Sequence, residues 1–262
     1  MQLPAELRNE IYKHIIGSSV VKNSVLRSAY RIKPSNYPIF QVSRQVRREA
    51  LAVYFENITL RHSLLCHSHP LSSLGEFGER HVRTAELRWA CGCNRWPVGQ
   101  FHDGIEYCVE ACGKVARGMV ASLIGLKSLY VRLELDTSFI AWYHDDEAFD
   151  RLNSSGLLDL RIGGQLVVHL VLNREAMRFL PWKLSLIDDD ECSKTLPTAL
   201  KYIVKTFIDA LPSDARVMLS GLPLVNKRIV PRDLLGQGNE AWMSFLRRIY
   251  MEDSINLAIT AN

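Results

Sequence analysis

No stretch of this 262-residue chain is apolar for long enough to cross a membrane. The longest apolar run, Leu166–Leu172, is broken by His169 and falls far short of the ~20 residues a span needs. The N-terminus lacks the charged region, apolar stretch and cleavage site of a secretory signal. The expectation is therefore an intracellular protein, cytoplasmic or nuclear, with no membrane partner and with its six cysteines as thiols. Also missing are the GxSxG elbow, the phosphate-binding GxxxxGKS/T loop and GxGxxG. Gly163-Gly164 precedes a strand candidate rather than a helix, so it reads as a turn. With no catalytic constellation backed by a second motif, the reading is a non-enzymatic protein, and no cofactor is implied.

What is present is ordinary globular composition, 47% hydrophobic and 23% charged. The length suits one large domain, or a small module joined to a larger body. The net charge of +4 is unevenly spread. Residues 1–62 hold ten Lys/Arg against four acids, a net +6, which leaves the remainder at −2. A basic segment of this kind favours an acidic partner, protein or nucleic acid.

The clearest pattern is LPAELRNEIYKHII, Leu3–Ile16. Pro4 sits where a helix tolerates the missing N–H. Leu7, Ile11 and Ile15 recur every four residues, flanked by Tyr12 and Ile16, and Gly17 offers a stop. Arg8, Asn9 and Lys13 read as the opposite face. A second stretch, VSRQVRREALAVYF, repeats the spacing with Val42, Val46 and Ala50, beside Leu51 and Tyr54. Short helices are not stable alone in water, so the two stripes are expected to pack on each other. Between them, Ser18–Pro38 carries short apolar groups around an Asn23-Ser24 turn candidate and predicts a hairpin. Asn57–His62 predicts a strand that could join it.

These stretches resemble the two halves of an F-box. With VRTAELRW further on, they look more narrowly like a group of fungal F-box-like proteins, most without an assigned activity. The resemblance covers about the first 90 residues. It implies docking to the Skp-type adaptor of a cullin ubiquitin ligase. Leu3, Pro4, Leu7, Ile11, Val42 and Arg44 would be the contacts, and the body would hold an unknown target protein. The interval between the halves is longer than in an ordinary F-box, and Val46 stands where an aromatic is frequent. Only Met1 and Gln2 precede the motif, which fits a chain that lacks an upstream segment.

Beyond residue 62, strands are predicted at Thr84–Trp89, Leu126–Leu135, Gln165–Leu172 and Arg216–Leu219. Helices are predicted at Gly104–Gly125, Pro197–Leu211 and Glu240–Met251. Strand–helix–strand order suggests right-handed crossovers and a partly parallel sheet. The expected fold class is thus α+β. F-box-like helices with a hairpin insertion (residues 1–62) lead into a βαβ-containing α/β body (residues 63–262), and the two could form one continuous domain. A spacing of about 40 residues between strands also leaves a degenerate solenoid open.

Several clusters could carry chemistry. Cys91, Cys93, Cys108 and Cys112, with His102 between them, have a conceivable four-thiolate zinc pattern. Cys108 and Cys112 also fall on an apolar helical stripe, where cysteine acts as a small apolar residue. Cys66, His67 and His69 could bind a metal or simply occupy a polar loop. His144, Asp145, Asp146 and Glu147 could serve a metal-dependent hydrolase or a solvated helix start. Asp188–Glu191 reads as a solvated acidic turn. Arg44, Gln45, Arg47 and Arg48 could enter a nucleic-acid groove, but the preceding helix is about twenty-five residues away and a solvated face explains them as well. The readings that remain beside the ligase adaptor are a stand-alone domain whose N-terminal helices form core, a hydrolase and a nucleic-acid binder.

Overall fold

The computed structural model describes residues 3–20, 37–63, 74–90, 113–135, 156–172, 190–221 and 227–259. The chain opens with helix α1 (Ala5–Val20), a 3-10 turn (Pro38–Gln41) and helix α2 (Arg44–Asn57). Strand β1 (Thr59–Ser63), helix α3 (Gly75–His81) and strand β2 (Thr84–Ala90) follow. Helix α4 is described over residues 113–122. Then come β3 (Ser128–Leu135), β4 (Gln165–Leu172), α5 (Asp190–Ala210), β5 (Arg216–Gly221), β6 (Arg228–Ile229) and α6 (Asn239–Ile259).

The strands make a six-stranded sheet in the order β1-β2-β3-β4-β5-β6. β1 to β5 run parallel and β6 closes the edge antiparallel. Spatial order thus follows chain order. Side chains alternate across a strand, and the register aligns them in rows. Leu60, Ala85, Leu129 and Leu166 form one buried row, and Leu87, Val131, Val168 and Val217 the next. Against these rows pack Met119 of α4, Ile203 and Phe207 of α5, and Trp242 and Phe245 of α6, all in one apolar cluster. Trp242 and Phe245 stack with ring centroids 5.9 Å apart. Each large side chain buried here is worth about 1.5–3 kcal/mol.

Polar connections set the register. The Arg83 carbonyl accepts from the Lys127 and Ser128 amides, and the Lys127 carbonyl accepts from the Gln165 amide at 2.7 Å. Arg83 also donates to the Gly125 carbonyl and to Glu56, which ties α2 to the β2 and β3 starts. At the end of α5, Arg232 donates to the carbonyls of Ile208 and Pro212. It satisfies acceptors that a helix C-terminus leaves open.

Strand β4 coincides with its expected span, and β2 and β3 differ from theirs by one or two residues at an end. Several expectations are corrected. β1 does join a sheet, but as a parallel partner of β2. The hairpin expected between the N-terminal helices lies outside the described residues, apart from its ends. α4 ends at 122 rather than at Gly125, and its expected start lies outside the described residues. α5 starts at Asp190, not Pro197, so Asp190 and Glu191, expected in a turn, belong to the first turn of a helix. Strand β6 has only two residues, too few for any periodicity to announce it.

Gly163 and Gly164 enter β4, and only the second is sterically constrained. A Cβ on Gly164 would overlap the Lys127 carbonyl, while one on Gly163 would meet nothing within 4 Å. Gly164→Ala is expected to cost about 1–3 kcal/mol, as overpacking does. Gly163→Ala should stay within about 0.5 kcal/mol of the parent. Paired urea denaturation curves measure both, and equal stabilities would show that the Lys127 contact is not constraining.

Candidate docking surface

Helices α1 and α2 pack on each other, but not stripe against stripe. Residues at four-residue spacing on α1 form two adjacent rows about 100° apart. Arg8, Tyr12 and Ile16 form the row that faces α2. Tyr12 and Ile16 are buried with Phe40, Ala50 and Val53 in a small core of their own. Leu7, Ile11 and Ile15 form the other row and are exposed, at 53%, 44% and 46%. Arg8 therefore lies in the helix interface, contrary to its expected place on the opposite face.

Electrostatics explain which row turns inward. Arg8 donates from Nε and Nη2 to both oxygens of Glu49, each at 2.9 Å. The Tyr12 hydroxyl donates to the same carboxylate at 3.0 Å, and Gln45 Nε2 donates at 3.0 Å. A two-pronged arginine–carboxylate contact has fixed geometry as well as charge. The Arg8, Gln45 and Tyr12 hydrogen bonds hold the Glu49 carboxyl down at about 2, against the partial desolvation that would raise it. Its folded value lies below the ordinary one. The contribution of this pairing is therefore complete above the usual carboxylate range and fades as pH falls toward 2.

α2 starts at Ser43, whose Oγ accepts from the Val46 amide at 3.2 Å, a standard N-cap. The preceding Val42 is thereby left outside the helix and 70% exposed. Further along, Phe55 turns into the core of the sheet, while Ala50 and Val53 face α1. Leu51 and Tyr54 border both clusters. One helix thus carries the N-terminal pair and anchors it to the body.

Of the sequence candidates, Leu3, Pro4, Leu7, Ile11, Val42 and Arg44 are all exposed. Ile15 extends the same stripe, and its spacing from Ile11 already placed it there. The Arg8–Glu49–Tyr12 network is absent from the expected site, although a basic residue on α1 and an acid on α2 were the available signal. Arg44 and Arg48 are exposed, and Arg47 donates to the Phe40 carbonyl. The clusters around Cys66, Cys91, Cys108 and His144 lie outside the described residues. Among the described residues no group of His, Cys, Asp and Glu is placed to hold a metal, and no helix is long and apolar enough to cross a membrane.

One buried pair was not anticipated. His169 of β4 has Nε2 2.8 Å from Ser220 Oγ of β5. A serine beside a histidine is the geometry of an activated nucleophile, but Ser220 is completely buried, which denies a substrate access to it. The pair serves as a cross-strand hydrogen bond. Burial holds the His169 imidazole down at about 4, assisted by Lys227 and Arg132 and opposed by Glu86. The folded value lies below the unfolded one, so stability is intact above about 6.5 and is lost as pH falls toward 4. The shift corresponds to about 3 kcal/mol. Urea denaturation near neutral pH and near pH 4 should show this loss in the parent, and His169→Asn should remove most of it. An unchanged slope in the variant would assign the acid sensitivity to other groups.

No protein-family profile matches the chain, and no curated protein or solved structure matches it.

Proposed function

We propose that the chain is a protein-interaction module that docks through the exposed α1 stripe and Val42 onto the Skp-type adaptor of a cullin ubiquitin ligase. The observation that carries this reading is the solvent exposure of Leu3, Leu7, Ile11, Ile15 and Val42. Scattered surface apolar residues need no explanation, whereas an aligned row of large ones suits an interaction site. The alternative is a stand-alone domain whose N-terminal helices form core; Tyr12 and Ile16 do fill a small core, and the exposed row beside them is what favours a partner. Pro4 and Arg44, also exposed, border the stripe in this reading. The fungal F-box-like resemblance supplies the partner's identity, and the motif carries it.

The separation of the two α1 rows gives a clean test. Leu7→Asp and Ile11→Asp replace exposed side chains, so the fold should lose no more than about 0.5 kcal/mol. Either change should abolish capture of a purified Skp-type adaptor, as measured by calorimetry. Tyr12→Ala removes a buried ring and should lower both stability and binding. If the parent fails to bind, or the Asp variants bind like the parent, the adaptor reading is wrong.

A further inference from the structure

Parallel sheets are ordinarily covered on both faces, and their strands read as continuous apolar runs. β4 follows that rule, with Leu166 through Leu172 all buried. β2 and β3 do not. Ala85, Leu87, Leu129, Val131 and Leu133 are buried, and they alternate with Glu86, Arg88, Tyr130, Arg132 and Glu134, which keep contact with solvent. The register extends this second face across the sheet. Arg61, Glu86, Tyr130, Val167 and Arg216 form one row, and Arg88, Arg132, His169 and Met218 the next.

The face is closed along β4, where Val167, His169 and Val171 are buried, and at Ser220 of β5, and it opens to solvent at particular positions to each side. Arg88 and Tyr130 are more than a third exposed, and Arg216 and Lys227 are exposed. Lys227 belongs to this face by register, because Ile229 of β6 pairs with Met218 and Arg228 with Leu219, so alternation returns Lys227 to the Met218 side. Among the described residues, the cations of this face are Arg61, Arg88, Arg132, Arg216 and Lys227, and the carboxylates are Glu86 and Glu134. Both carboxylates are engaged within the face. Glu86 accepts from Arg61 at 2.8 Å and from Arg88 at 2.6 Å, and Glu134 accepts from Arg132 at 2.6 Å. Arg132 Nε is buried without an acceptor. Among these residues the charge left over is positive and lies on both sides of β4.

We propose that this sheet face binds an acidic, extended peptide segment of a partner protein. Arginine forks suit carboxylates, and Tyr130 offers a flat apolar surface between them. A nucleic-acid backbone suits the face less well. Glu86 and Glu134 lie among the cations, on strands about 4.8 Å apart, and would repel a continuous line of phosphates. An extended peptide presents a carboxylate only where its sequence places one. The site is on the body and is independent of the α1 docking proposal, so Leu7→Asp leaves it intact.

Fluorescence anisotropy of a short labelled oligo-glutamate peptide, titrated with the full chain at low salt, tests the proposal. Saturable binding is expected. Arg88→Glu combined with Arg216→Glu should weaken it roughly tenfold or more. Arg48→Glu, on the exposed side of α2, should not change it. If the double variant on the sheet melts unlike the parent, Lys227→Glu alone gives the readout, with weakened binding expected. Absence of binding by the parent overturns the proposal, as does equal loss in the α2 variant. Tighter binding of an oligouridylate of equal charge would also overturn it and assign the face to nucleic acid.

Discussion

The rotation of α1 about its own axis decides what the N-terminal pair can do, and the grip of Glu49 on Arg8 and Tyr12 sets that rotation. α1 offers two rows of side chains at helical spacing, and a purely hydrophobic packing would favour the row of Leu7, Ile11 and Ile15. The observed packing selects Arg8, Tyr12 and Ile16. The carboxylate fixes Arg8 by both oxygens, the tyrosine hydroxyl shares the same acceptor, and Ile16 completes the small core. Three large apolar side chains are thereby left facing water. Under the proposed docking, the cost of that exposure would be recovered when a partner covered the row.

α2 transmits this arrangement to the body. Its N-cap at Ser43 fixes where the helix begins, its Ala50 and Val53 receive α1, and its Phe55 enters the sheet core. Glu56 then reaches Arg83, which spans to the Gly125 carbonyl beside β3. The N-terminal pair is therefore continuous with the sheet through one helix and one arginine. A partner seated on α1 would be held at a defined place relative to the polar face of the sheet.

The sequence was most legible where periodicity was strong and local. β4 reads directly from QLVVHLVL, and β3 from the alternation of Leu129, Val131, Leu133 and Leu135. The parallel sheet follows from the strand–helix order, though its strictly sequential winding does not, because nothing in a strand names its neighbour. The exposed row on α1 was recognisable as a stripe, yet its direction was not, since Leu7 and Tyr12 have equal claims on the core. The choice rests on a pairing between residues 41 positions apart. The buried His169–Ser220 bond is hidden for the same reason, with partners 51 positions apart on adjacent strands.

The most direct test of the central claim, that the α1 row is a partner surface, is site-specific photocrosslinking. A photoreactive side chain at Ile11 reports on the exposed row, and one at Arg247, an exposed position on α6, reports on a distant surface. With a purified Skp-type adaptor, the account predicts a crosslinked adduct from position 11 and none from position 247. No adduct from position 11, or equal adducts from both positions, would contradict it.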